Sequence, residues 1–462
     1  MSLRTRVLRG GFYLILRQGL GILISTVGLI LLTRTIGPEA YGLFAAAFGI
    51  YAYIQGLSSW GVNIFLIRHE GEPQPQDYHQ AFSLLLTLGL VSAGVAILLL
   101  PLAEYWVRLE GFGPLAATLF AVIPMSLLSV VPAARFERAL DYRWIAVIEL
   151  SGQILTYIVA LPLAYQGFGA WAPVAGVWAQ QLITLSLLYW VSDYRPKFYW
   201  ERARVRSMLG YGLGYSAAGL AWDLRYLVNP LIVSRYAGAE AVGYVALSVR
   251  VVEQLTFVTG VIWRLTTAAF ARIQEDRDRL AKVIAEGLSL QLIALGPILA
   301  GFGLVAPWIV SLLLGSRWLP ALEVYPFIAV SYLCGAGVNL YSSALSVLRK
   351  NWLVAVLNLG HVVVFAGAGL LLIPLLGLRG YGWAEIVALP TYVLFPVWFQ
   401  VYIGRANYAR SGIWFVAWAL PLFFWQLGPW MWISVVVPLL WPATRRELLQ
   451  AISTVLRRRY EP

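Results

Sequence analysis

Between residues 10 and 441 the chain is a succession of apolar blocks, each closed by a short polar or Gly/Pro-containing turn. The blocks run to about 20 residues, the length an α-helix needs to cross about 30 Å of hydrocarbon. The pattern predicts spans over 10–33, 43–67, 80–103, 112–133, 144–165 and 169–191. After a polar stretch it predicts 207–234, 241–269, 286–314, 320–347, 351–375 and 381–403, then a shorter pair at 411–426 and 428–441. Lipid-facing strands would instead alternate over about 10 residues, which excludes a transmembrane barrel. The expected fold class is an all-α polytopic membrane protein of 14 transmembrane helices.

Composition agrees. Of 462 residues, 60% are hydrophobic and 12% charged, whereas soluble domains are roughly half apolar and a quarter charged. No polar linker divides the chain as it would two soluble domains. One cysteine, Cys334, rules out a disulfide framework, and with three histidines (His69, His79, His361) no metal centre is expected. The opening MSLRTRVLRGG leads into a full-length span without a small-residue cleavage site, so no removable signal peptide is expected. A GxxxxGK[ST] phosphate loop is missing, so the chain is not expected to hydrolyse ATP.

The net charge of +12 is carried almost wholly by arginine, the only lysines being Lys197, Lys282 and Lys350. Such a balance does not call for nucleic acid, because membrane topology alone produces it. With the N-terminus inside, 25 of the 34 basic residues fall in inside segments, five in outside turns (Arg34, Arg108, Arg235, Arg317, Arg379) and four within spans. That bias places both termini in the cytoplasm.

The outside turns reveal an internal duplication. LTRTIGPEAYGLFA, from Leu32, aligns with VSRYAGAEAVGYVA, from Val233: Arg34/Arg235, Gly37/Gly238, Glu39/Glu240, Ala40/Ala241 and Gly42/Gly243 match at an offset of 201. Trp144 and Gly152 match Trp352 and Gly360 at 208, and Gly167-Phe168-Gly169 matches Gly380-Tyr381-Gly382 at 213. An even number of spans separates the copies, so both have the same orientation, as in parallel-repeat transporters with a binding site between the two halves. The alternative is that short helix connections simply reuse glycine. The expected organisation is a six-helix bundle over 1–195, its repeat over 207–404, an extra helix pair over 411–441 and a basic amphipathic tail over 442–462.

In its first span, the turn Arg34-Thr-Ile-Gly-Pro-Glu-Ala-Tyr-Gly42 and the two six-span halves plus a terminal pair, the chain resembles the polysaccharide-repeat flippases of the multidrug/oligosaccharidyl-lipid/polysaccharide exporter superfamily. The resemblance runs over essentially the whole chain and is most specific at 30–50. It implies translocation of polyprenyl-diphosphate-linked oligosaccharide repeat units across the bacterial inner membrane by alternating access, for O-antigen or exopolysaccharide biosynthesis. It further implies a transporter and not an enzyme, membrane lipids and the polysaccharide polymerase machinery as partners, and no cofactor. Na⁺, H⁺ or the membrane potential stay open as the energy source. A cation-coupled multidrug extruder of the same fold and, from another class, a membrane glycosyltransferase or polymerase are the alternatives. Short outside turns leave the last of these little room for a site.

Charges inside spans then need a reason, since an arginine at mid-membrane costs about 2.5–3.5 kcal/mol on insertion scales. Arg17 lies on a stripe with Tyr13, Gly21, Ser25 and Gly28, at helical spacing, a small and polar face expected to look into the bundle. Arg250 shares a stripe with Glu253, Gln254, Phe257 and Arg264. Asp223 and Arg225 point to different faces of the seventh span, Arg225 with Asn229 and Asp223 with Gly219 and Tyr226. Under the resemblance these arginines grip a diphosphate, for which the guanidinium fork is suited. Gln55, Asn63, Gln153, Tyr157, Gln180, Gln181, Asn358 and Tyr381 offer polar and aromatic walls for a hydrated sugar. The structural alternative pairs Arg250 with Glu253 and lets Arg17 and Arg264 snorkel to the surface. At the offset of 201, Arg17, Arg250, Glu253 and Arg264 map to Ala218, Gly49, Ala52 and Asn63, so none is duplicated.

Among the acids, Glu149, with Gly152, Gln153 and Thr156 on its face, either carries a coupling ion or pairs with an arginine. Asp223, Glu253 and His361 are the other ion-coupling candidates, His361 having a helix-contact role as its alternative. Glu385, close behind the Gly380 turn, is expected at the interface. The last two spans carry Trp414, Trp418, Trp425, Trp430 and Trp432, which suit either a groove for the polyprenyl chain or an interfacial anchor.

Overall fold

A computed structural model describes residues 3–69, 71–257, 259, 266, 269–404, 407–442 and 444–446. Arg264 and the tail from 447 lie outside the described residues. Among those described there is no strand, and nine helices are long and apolar enough to cross a membrane. The chain is an all-α multi-pass membrane protein. These nine helices account for ten of the fourteen expected spans, because one of them holds two.

That one is α1, Leu3–Ser59, 57 residues long. At 1.5 Å per residue it would measure about 86 Å if straight, nearly three hydrocarbon thicknesses. It breaks at Gly37 (φ 78°, ψ 174°) with Pro38 next, which splits it into the first two expected arms. A positive φ at that ψ is open only to glycine at low cost. Then come α2 (Val62–Arg68), α3 (Pro75–Leu98), α4 (Leu100–Val107), α5 (Phe112–Phe120), α6 (Ile123–Leu128) and α7 (Val130–Arg138). α8 (Tyr142–Tyr165) and α9 (Trp171–Val191) follow as an adjacent pair.

The expected seventh span is not one helix. α10 (Arg202–Asp223) passes into a 3₁₀ turn, Leu224–Leu227, and a π turn, Asn229–Val233. Pro230 has no N–H to give an α-helical ladder there. α11 (Ser234–Leu255) opens the eighth expected span and breaks at Gly238 (φ 81°, ψ 179°). The matched glycines of the two repeats therefore have nearly the same backbone geometry. α12 (Arg277–Leu313), α13 (Tyr325–Val347), α14 (Asn351–Leu376), α15 (Leu378–Ala388) and α16 (Leu394–Tyr402) complete the long helices. The terminal pair is fragmented into α17 (Ala409–Ala419), α18 (Phe424–Leu427) and α19 (Val436–Leu440), joined by 3₁₀ turns at Leu420–Phe423 and Pro429–Val435. Prolines 421, 429 and 438 interrupt the α-helical ladder there.

Two compact units result: Met1–Gly243 with Leu313–Arg317, and Tyr244–Leu312 with Trp318–Pro462. In the first, Leu32, Ala160, Ala164 and Ala172 pack with Ile36, Leu161 and Leu163, small residues allowing close helix approach as lipid-embedded bundles require. Large apolar side chains such as Leu98 and Leu102 remain exposed, as suits a surface solvated by lipid. The segment between the repeats is extended and strapped to α3: the Tyr199 N–H donates to Ser83 Oγ at 2.9 Å and the Glu201 N–H to Gln80 Oε1 at 2.5 Å. Arg204 bonds Asp77 and, at 2.6 Å, Glu201, and this bond holds the Glu201 carboxyl below its ordinary pKa. In the second unit, Phe399 meets Tyr341 edge-on at 5.3 Å. Trp414 is buried, Trp418 fills the space over Gly296, and Trp425 Nε1 donates to Gly303 O at 3.1 Å. Trp414 and Trp418 are thus taken up in packing against the protein, while Trp425 is held by its hydrogen bond and stays half exposed.

Candidate substrate-binding site

The polar stripe on α1 faces a polar stripe on α8. Arg17 Nε donates to Glu149 Oε2 at 2.6 Å. One turn on, Gln153 Nε2 donates to Gly21 O at 2.8 Å, and a further turn on, Tyr157 OH donates to Ser25 O at 3.3 Å. Each step advances both helices by four residues, so one constant register produces all three contacts. Next on the stripe is Gly28, where a Cβ would overlap the Tyr157 ring. A larger residue would push α8 away at that level. Gly152 plays the corresponding part toward α9, where an added Cβ would lie 2.7 Å from Thr184 Oγ1. Thr156 Oγ1 donates to Gln180 Oε1 at 2.8 Å and extends the polar ladder onto α9.

Arg17 and Glu149 are each partly exposed, their side chains at 37% and 42%, so the pair is open on one side. The guanidinium has five N–H donors. Among the described residues it also donates from Nη1 to Gln18 Oε1 at 3.3 Å. The arrangement is a neutralised, partly exposed arginine, which costs less in a membrane than a lone cation and whose guanidinium can exchange a carboxylate for a phosphate.

The remaining candidates in this unit form other groupings. Arg225 is buried, in the 3₁₀ turn, with its guanidinium 4.8 Å from the Trp222 ring centre and 5.9 Å from that of Tyr226. The α-helical register expected to align it with Asn229 is interrupted at Leu224, and Asn229 Nδ2 donates to Val242 O at 3.2 Å. Asp223 ends α10, Gln55 lies on the second arm of α1, and Asn63 is on α2. Sequence reasoning named Gln181 but missed Tyr51 and Ser126, to which it is tied: Tyr51 OH and Ser126 Oγ lie 2.9 Å apart, and Gln181 donates to Ser126. A tyrosine and a serine in apolar runs carry no spacing signal of their own.

In the second unit, Arg250 Nη1 lies 3.6 Å from Glu253 Oε2, one turn away, and Tyr332 OH donates to Glu253 Oε1 at 3.2 Å. His361 is fully enclosed: Nδ1 is 2.8 Å from Thr391 Oγ1, Nε2 3.2 Å from Tyr392 OH, and its ring stacks on Tyr392 at 4.3 Å. Asn358 is buried one turn before it on α14. Glu385 is enclosed by protein and accepts from Tyr381 OH at 3.3 Å.

An all-helical integral membrane protein with an ion pair and a polar ladder set into its first span is the class this architecture defines. More narrowly, the chain belongs to the family described as polysaccharide biosynthesis protein, whose sequence pattern matches residues 31–323. It is 26% identical over 311 residues to the succinoglycan biosynthesis transport protein ExoT of Rhizobium meliloti (strain 1021), an alignment covering 65% of this chain and 61% of that relative. The chain thus spans about three-fifths of that relative's length. Its fold is similar to the lipid II flippase MurJ in an inward closed conformation, with a TM-score of 0.69 at 12% identity, covering 98% of this chain and 100% of MurJ. It is also similar to an inward-facing multidrug resistance MATE family transporter of the MOP superfamily, with a TM-score of 0.63 at 15% identity over 84% of this chain and 98% of that one.

Proposed function

We propose that the protein is a flippase that carries polyprenyl-diphosphate-linked oligosaccharide repeat units across the bacterial inner membrane by alternating access, for surface polysaccharide biosynthesis. The observation that carries this reading is the Arg17–Glu149 pair heading the ladder of Gln153, Tyr157 and Thr156. A partly exposed arginine suits the diphosphate, and amide and hydroxyl groups along the same seam suit a sugar. The family match and the transport protein among the relatives support it. The fold is shared with a multidrug resistance MATE family transporter, but organic cations favour acidic groups, and the seam is headed by Arg17. Arg225 and Arg250 are secondary phosphate contacts in this reading, with Gln55, Asn63 and Asn358 as sugar contacts. Glu149, Asp223, Glu253 and His361 are the groups through which Na⁺, H⁺ or the membrane potential would act, Glu149 by exchanging Arg17 for a proton or cation when substrate arrives.

Fourteen crossings with cytoplasmic termini complete the proposal. On a Cys334→Ser background, single-cysteine variants at Glu39, Glu240 and Arg379 are expected to react with an impermeant maleimide from outside, and those at Gln76, Arg202 and Arg279, which are also exposed, only from inside. Inverted labelling at the later sites alone would show that the crossings between have been miscounted. The function itself is tested by deleting the gene in its own cell. Diphosphate-linked repeat units are expected to accumulate in the inner leaflet while their synthesis continues. Unchanged export, with newly acquired sensitivity to cationic drugs, would favour the extruder.

A further inference from the structure

The duplicated turns contact one another, and they do so reciprocally. A Cβ on Gly42 would overlap the carbonyl oxygen of Ala239, and a Cβ on Gly243 would overlap the carbonyl oxygen of Pro38. Ala239 is the match of Pro38, and Gly243 the match of Gly42, at the single offset of 201. The two contacts are therefore one contact generated twice, the signature of a self-complementary two-fold interface.

The matched arginines repeat the exchange. Arg34 Nη1 donates to Leu313 O at 3.3 Å, while Arg235 Nη1 reaches Tyr105 O and Trp106 O, each at 3.4 Å. Leu313 is the last residue of α12, and Tyr105 and Trp106 lie in the last turn of α4, which ends at Val107. Each arginine, placed by the turn of its own repeat, thus reaches the carboxyl end of a helix from the other repeat, α12 for Arg34 and α4 for Arg235. Carbonyls at a helix end lack partners within the helix and carry the negative end of its dipole, so a guanidinium is well matched to them. Arg235 also lies 5.3 Å from the Trp106 ring centre, and Trp106 Nε1 donates to Leu231 O at 2.8 Å. The arginine bonds are long for N–H···O bonds, hence readily broken. Unlike Arg17 and Arg250, these arginines occur in both repeats, so they serve something both repeats do alike.

We propose that the two turns form a reversible latch. Arg34 and Arg235 hold it shut over the Gly42–Gly243 crossing in the state described here, and both bonds release together when the turns part to open the outer face. The proposal rests on the alternating-access reading for its purpose, but its geometry is read without substrate.

The test is a distance measurement on the full chain in lipid nanodiscs, with Cys334→Ser and spin labels at positions 39 and 240, both exposed and just beyond the matched glycines. The parent is expected to give one short distance. Arg34→Ala and Arg235→Ala are each expected to lower the ratio of closed to open molecules about tenfold, about 1.4 kcal/mol per bond set, and the double variant about a hundredfold. Gly42→Ala, which keeps both arginines, is expected to populate the same longer distance by obstructing the crossing, and it decides the matter if the double variant does not fold. An unchanged short distance in the double variant and in Gly42→Ala overturns the latch. A latch that opens as expected in a chain that moves no lipid-linked sugar would overturn the transport reading alone.

Discussion

Arg17→Ala is expected to abolish polysaccharide export while the protein stays in the membrane. A charge-assisted hydrogen bond contributes about 1.5–3 kcal/mol, so losing the guanidinium's bonds to a diphosphate should weaken binding roughly ten- to a hundredfold. Removing Arg17 also leaves Glu149 without the cation that sits 2.6 Å away, and an uncompensated carboxylate in a span is costly. A drop in protein level could come from that alone. The double variant Arg17→Ala/Glu149→Gln separates the causes, since it removes the stranded charge without restoring a phosphate ligand. Protein level is expected to recover and export to stay absent. Arg17→Lys should retain part of the activity, because an ammonium keeps the charge but lacks the planar fork. Export at the parental rate from either alanine variant would exclude Arg17 as a substrate ligand.

Gly212→Ala is expected to be the most damaging of the conservative substitutions in α10. A Cβ there would overlap the carbonyl oxygen of Trp60, and Gly61, with φ 65°, approaches from the other side, where its own added Cβ would lie 2.7 Å from Gly212 O. The chain between α1 and α2 crosses α10 backbone to backbone at this point. Overpacking of such a contact costs about 1–3 kcal/mol, and a backbone oxygen cannot rotate aside as a side chain can, which places this site at the upper end. The thermal midpoint of the purified protein should fall by roughly 5 °C or more, scaled from about 2–4 °C per kcal/mol in mid-sized domains. Gly210→Ala and Gly219→Ala serve as controls, because a Cβ at either meets nothing within 4 Å. Equal behaviour of all three variants would mean that this crossing does not limit stability.

Both faces of the polar seam between α1 and α8 are legible in the sequence. The four-residue rhythm of Arg17, Gly21 and Ser25 marks one face of a helix, and Glu149, Gln153 and Thr156 mark another. What periodicity does not encode is which two faces meet. That depends on where small residues allow close approach, here Gly28 beneath Tyr157 and Gly152 beneath α9. His361 shows the same gap: its partners Thr391 and Tyr392 are 30 and 31 residues away in a 3₁₀ turn, beyond the reach of any helical spacing rule. Apolar blocks located the spans well but not their interruptions. The 207–234 block hides a 3₁₀ and a π turn, and the 411–441 blocks hide two 3₁₀ turns, because proline changes the hydrogen-bond ladder without changing hydropathy. The breaks at Gly37 and Gly238 were legible, because their dihedral angles constrain the residue directly. The reach of Arg34 and Arg235 to Leu313, Tyr105 and Trp106 was not, since it depends on which helix end lies beside each turn.

The most direct test of the central claim is a flipping measurement with the purified full-length chain in proteoliposomes. A fluorescent polyprenyl-diphosphate oligosaccharide would be placed in one leaflet and its arrival in the other read by an impermeant glycosidase. The predicted result is protein-dependent translocation that is lost in Arg17→Ala and absent for the same oligosaccharide lacking the diphosphate. Translocation that proceeds equally with Arg17→Ala and without the diphosphate would contradict the account.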